Sequence, residues 1–195
     1  PICIFVIIGR FLTFMLTPFY ANFMSVEAVG DIINIFSVLG FLNILFAIGM
    51  DTAYFRFFDK SSLKQSKKVF THAYSSIFLF SVFSSVVLFA FAEELAPLLT
   101  SLPNGTALIR IAAFLPMLDC LMVIPLAHLR MIRKAFRFSL IRFGLILIAV
   151  ALNIIFVTQL KWDAEGVLWA QFISSSAGAL IFLPDLKQNT RLSFD

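Results

Sequence analysis

A chain of 195 residues that is 61% hydrophobic and only 13% charged, with a mean hydropathy of +0.98, is excluded from the ordinary soluble class, where about a quarter of residues are charged. Its apolar residues fall in long blocks, which gives the composition of an integral membrane protein. The net charge of +4 is small, and two cysteines are too few for a disulfide framework or a cysteine metal cluster.

A helix needs about 20 apolar residues to cross the hydrocarbon core. Six stretches meet that length, at 2–24, 32–55, 69–92, 107–128, 138–159 and 164–184. Turn and charge signals separate them: SVEAVGD at 25–31, DKSSLKQSKK at 59–68, EELAPLLTSLPNGT at 93–106 and LKWDAEG at 160–166. The last is short, so spans five and six form a tight helical hairpin. The chain begins at Pro1 inside an apolar stretch and shows no short signal-peptide core; it reads as a piece of a longer protein.

In the first span, Cys3, Arg10, Thr13, Thr17 and Tyr20 fall within roughly a 100° arc of a helix. An arginine at membrane depth is costly, so this stripe should face the bundle interior or water rather than only snorkel. Pro18 follows it, where a kink is tolerated if neighbours satisfy the freed carbonyl.

In the second span, Gly40, Asn43, Ala47, Asp51 and Tyr54 share one small and polar face on an ideal helix. Arg56 projects about 140° away from Asp51. The two therefore do not pair, and each needs its own partner. Ser75, Ser76, Ser81, Ser84 and Ser85 scatter around the third span as backbone-bonded filler. The fourth span carries Arg110 one turn in, explained by outward snorkelling, and Asp119 near its middle between Pro116 and Pro125. Asp119 is either one half of a structural pair with Arg10 or a proton or cation site; both readings stay open. Asn153 sits mid-helix in span five. In span six, Gln171, Ser174, Ser175 and Gly178 follow helical spacing, as in a close packing seam. His72 and His128 lie at the membrane edges as interfacial residues rather than metal ligands. There is no phosphate-cradling glycine loop, no His–Glu metal motif and no Ser–His–Asp set, so the chain is not expected to be an enzyme, and no cofactor is implied.

The basic residues assign an orientation. Arg56, Lys60, Lys64, Lys67 and Lys68 follow span two, Arg130, Arg133, Lys134, Arg137 and Arg142 follow span four, and Lys187 and Arg191 follow span six. The other connections hold only Lys161, with Glu27, Asp31, Glu93, Glu94, Asp163 and Glu165. Lysine and arginine concentrate on the cytoplasmic side, so both ends of the chain are expected in the cytoplasm. The basic residues then face anionic lipid headgroups, and no nucleic-acid partner is needed.

Several segments together resemble one family. RFLTFMLTPFYANFMSVEAVGDI is similar to the first helix and turn of bacterial polysaccharide flippases, and GMDTAYFRFFDK to the end of their second helix. LRMIRKAFRFSL resembles the basic segment before their helix five. ALNIIFVTQLKWDAEGVLWAQFISSSAGAL resembles their helix five to six hairpin. The family is the O-antigen and polysaccharide flippases, in the superfamily that also holds multidrug extruders and peptidoglycan lipid flippases. The resemblance implies an all-α integral membrane fold in which residues 1–195 form the N-terminal six-helix lobe of a two-lobe transporter, with a second lobe absent from this chain. It implies the bacterial inner membrane as location. The implied substrate is an undecaprenyl-pyrophosphate-linked oligosaccharide flipped by alternating access for lipopolysaccharide or other polysaccharide synthesis. By the same resemblance, Arg10, Arg56, Thr13, Thr17 and Asn43 are expected to bind substrate, and Asp51 and Asp119 to tune the arginines or couple ions. The alternative is a cation-coupled multidrug extruder, with an apolar cavity and one essential acid.

Overall fold

The computed structural model describes residues 2–47, 49–58 and 63–189, which contain helices and no strand. Lys60 and Arg191 lie outside the described residues, as do the side chains of Cys3, Ala47, Lys64 and Lys187. The helices are α1 (Ile2–Phe23), α2 (Val26–Ala47), α3 (Met50–Phe57), α4 (Leu63–Ala90), α5 (Ala92–Leu99), α6 (Gly105–Met131), α7 (Ala135–Thr158) and α8 (Asp163–Asn189). Among the described residues five stretches are long and apolar enough to cross a membrane: Val26–Phe57, Gln65–Ala90, Gly105–Met131, Ala135–Thr158 and Asp163–Leu186. Helix α1 is 22 residues long.

The bundle is apolar outside and partly polar within. Leu79, Phe83, Val86 and Ile44 are exposed, whereas Ser81, Ser85, Ser139, Ser174 and Ser175 are buried. That pattern suits a lipid surrounding, where small hydroxyl residues let helices approach and bond. Helix α6 is the axis. It packs against α2, α3, α4, α5, α7 and α8, while α1 leans on α7 and barely meets α2. A cavity therefore opens between α1 and α2.

Three boundaries depart from the sequence reading. The segment 25–31 is not a loop: Ser25 caps α2 by accepting the Ala28 N–H on its hydroxyl at 3.2 Å, so Asp31 lies inside α2. The second span is not one straight helix. Gly49 adopts the left-handed conformation at φ 61°, which suits a residue without Cβ, and α3 restarts after it at Met50. Tyr54 consequently leaves the shared face expected for it and is buried against α4 and α6. The 93–106 connection contains α5. The reversal between α6 and α7 is a Schellman turn: Arg133 takes φ 57°, Lys134 N–H reaches Leu129 O at 3.0 Å, and Arg133 N–H reaches Arg130 O at 3.2 Å. Spans five and six form the expected tight hairpin, reversed at Lys161 with φ 52°.

The charged ends also separate. Arg137 bonds Asp185 at 3.0 Å at the end where α6, α7 and α8 carry basic residues. At the other end Arg110 pairs with Glu93 at 2.9 Å, and Asn104 donates to Glu165 at 3.3 Å.

Candidate functional site

Helices α1, α2, α6, α7 and α8 line a chamber of about 650 Å³, and α2, α3, α6, α7 and α8 line one of about 390 Å³. The two chambers share Asn43, Asp119, Ile146, Ala149 and Gln171 as walls. Asp119 stands at the partition. Ser175 Oγ donates to its Oδ1 at 2.7 Å, and Asn43 Nδ2 donates to its Oδ2 at 3.3 Å. Gln171 Nε2 reaches Ser175 Oγ at 3.4 Å. One carboxylate thus joins α2, α6 and α8. The oxygen of the same amide, Asn43 Oδ1, is buried with no hydrogen-bond partner. A buried acceptor in this state is uncommon and costly, so the partition is not a fully satisfied structural knot.

The larger chamber is mainly apolar, with Thr13, Thr17 and Tyr20 of α1 along one side. Tyr20 donates to Asn153 Oδ1 at 2.8 Å, and Asn153 Nδ2 returns a bond to Ala149 O at 2.7 Å. This ties α1 to α7 at membrane depth. Gly9 adds to the tie, because a Cβ there would lie 2.8 Å from Ile146 Cδ1. The smaller chamber is the more polar of the two: besides apolar residues of α6 and α7 it adds Asp51, Arg130, Arg142, Ser174 and Ser175 to the partition residues.

The expected site residues divide. Asn43 and Asp119 line both chambers, Thr13 and Thr17 the larger, Asp51 the smaller. Arg10 and Arg56 line neither. Arg10 is exposed, about 20° around the helix from Thr17. Asp119 is held by Ser175 and Asn43 instead of by Arg10. Arg56 is exposed, with its guanidinium 6.0 Å from the Phe57 ring centroid. The cations of the cavity are Arg130 and Arg142, which the sequence reading had counted only as orientation signals. The clue was depth: Arg142 lies two turns inside α7. Arg130 also stacks over Phe138 at 4.6 Å.

The seam read in α8 is half a seam. Ser174 donates to Leu145 O at 2.8 Å, and a Cβ on Gly178 would collide with Met122 and Leu145, so these two residues do set close packing. Ser175 and Gln171 serve the partition instead. Asp31 is the residue that sequence reasoning missed outright. Buried in α2, its Oδ2 accepts from Thr100 Oγ1 at 2.6 Å, Ser101 N–H at 2.9 Å and Leu102 N–H at 3.2 Å. His128 is not a bare interfacial residue either. Its Nδ1 lies 2.7 Å from Tyr54 Oη, with the Phe58 and Phe70 rings edge-on to it. No group of three or more His, Cys, Asp or Glu side chains converges as a metal site among the described residues.

The polar residues that α1, α2, α6 and α8 turn inward lie on the walls of these chambers. No family model matches the chain, and neither the curated proteins nor the solved structures compared with it give a match.

Proposed function

We propose that the chain is one six-crossing lobe of a two-lobe flippase, with α1 as the first crossing, that moves an undecaprenyl-pyrophosphate-linked oligosaccharide across the bacterial inner membrane. The observation that carries the reading is the divided cavity, with Arg130 and Arg142 beside Asn43, Gln171 and Ser175 at its polar end. Arginine suits a pyrophosphate because its planar fork bonds two oxygens and stays charged. Amide and hydroxyl side chains suit sugar hydroxyls. The wide separation of α1 and α2 suits a lipid-linked substrate, whose tail stays among lipids while its head enters. The basic end of the bundle is the cytoplasmic end by the distribution of lysine and arginine. The substrate-holding role expected for Arg10 and Arg56 passes to Arg130 and Arg142.

A second reading is favoured by one observation: among the described residues Asp119 is the one acid at the partition, beside a mainly apolar 650 Å³ chamber. That is the arrangement of a cation-coupled extruder of apolar compounds. The test is native mass spectrometry of the purified full-length protein with an undecaprenyl-pyrophosphate glycan. Retention that falls in R130Q/R142Q and is competed by pyrophosphate supports the flippase. Retention indifferent to both arginines removes it and leaves the extruder.

A further inference from the structure

A second concavity, of about 200 Å³, lies at the basic end of the bundle, on different residues from the cavity. We propose that it holds the phosphate of an anionic phospholipid headgroup. It is lined by His128 of α6, Lys134 of the α6–α7 turn, Arg137 of α7 and Asp185 of α8, against Phe70 and Ile132. Two stretches of the chain, the α6–α7 reversal at 128–137 and the end of α8, thus bring their polar groups to one place.

Each donor is positioned by a feature already described. The Schellman turn at Arg133 fixes where Lys134 leaves α6. Asp185 holds Arg137 through one guanidinium nitrogen, Nη2, at 3.0 Å and 3.4 Å, so the other two nitrogens remain for a further acceptor. The Tyr54 hydroxyl occupies His128 Nδ1. When that hydroxyl donates, the ring hydrogen sits on Nε2, which gives the concavity a third donor. Lys134 and Arg137 outweigh the single charge of Asp185, so the concavity has a net attraction for an anion.

The surroundings choose between a lipid and a free phosphate. Ile132, Phe136 and Leu183 are exposed beside or near these polar groups. A site with donors below and apolar side chains around it fits a headgroup whose acyl chains run along the helices. Clusters of basic residues between helices at the cytoplasmic end attract anionic lipids, at about fivefold in affinity for each Lys or Arg near the surface. This proposal depends on the bundle lying in a membrane, and is independent of what the cavity carries.

The experiment uses the full-length protein, delipidated in a neutral detergent, with phosphatidylglycerol as probe and phosphatidylcholine and inorganic phosphate as comparisons. Retained lipid is read by native mass spectrometry and melting temperature is followed in parallel. Phosphatidylglycerol is expected to be retained and to raise the melting temperature, while phosphatidylcholine does neither. K134Q is expected to weaken retention by about fivefold and K134Q/R137Q by about thirtyfold. D185N should act in the opposite sense and tighten it, which a residue with a merely structural role would not do. K161Q, at the opposite end of the bundle, should leave retention unchanged. Equal retention of both lipids, or retention unaltered in both K134Q and D185N, would overturn the proposal. Full stabilisation by inorganic phosphate alone would overturn it too, by making the occupant a free anion.

Discussion

Two aspartates on packed helices end in opposite circumstances. Asp31 sits in α2 near the acidic end, and its carboxylate is filled by donors from the loop between α5 and α6. Asp119 sits in α6 at the partition, with two side-chain donors and open chamber on both sides. The first is a latch made by backbone N–H groups, which cannot be rearranged without moving the loop. The second is held only by side chains that can rotate. The number and kind of donors, more than the presence of an acid in an apolar helix, separate an anchoring carboxylate from one free to take part in a cycle.

The largest expected effect comes from breaking the latch. D31A leaves two buried-side N–H groups and a hydroxyl without their acceptor, and should destabilise the protein by about 3 kcal/mol or more. Unfolding of the protein in detergent, followed by circular dichroism, checks this; a loss below about 1 kcal/mol would mean that water replaces Asp31 and the contrast fails. D119N should behave in the opposite way. Its amide can donate to Asn43 Oδ1, the oxygen that now has no partner, once the Asn43 amide turns over. Stability should change by less than about 1 kcal/mol, while transport by the full-length protein in proteoliposomes is lost. A stable D119N protein with full transport would make Asp119 a packing residue.

A finer comparison removes one hydroxyl from each site. Thr100 and Ser175 donate to their aspartates at 2.6 and 2.7 Å. T100V and S175A should each cost about 1–2 kcal/mol if the bonds alone matter. The sites are expected to differ in activity: S175A should alter transport, whereas T100V should leave it unchanged in the folded fraction.

Much of the fold was legible because its signals are long. Blocks of apolar residues around 20 long, separated by charge, give five of the six expected spans among the described residues and the hairpin that turns at Lys161. The parts that were not legible depend on single residues or on distant pairings. Nothing local announces that Gly49 breaks a helix, because glycine is also common in packed membrane helices. Ser25 as a cap was masked by the turn-like composition of SVEAVGD, whose acid and glycine also read as loop. In the cavity, Thr13, Thr17 and Asn43 stood out on polar helical faces and Asp119 by its depth in span four, because face and depth are both local properties. Arg142 was not, because a basic residue near a span end has two readings and the strong orientation pattern absorbed it. The partners of Asp31 lie about 70 positions away, and no periodicity carries that information.

The central place of α6 has a consequence for how the protein is made. Chains emerge from the N-terminus, so α2, α3, α4 and α5 exist before α6 does. Helix α6 carries Arg110, Asp119, His128 and two prolines, a sequence that lipid alone receives poorly. It meets four earlier helices already able to seat it. Helix α1 has the reverse history. It is synthesised before α2–α8, yet its main neighbour is α7, and the Tyr20–Asn153 bond spans 133 positions. It must wait at the side of the growing bundle until α7 is complete, so the chamber that both helices wall comes into being only after α7 has joined the bundle.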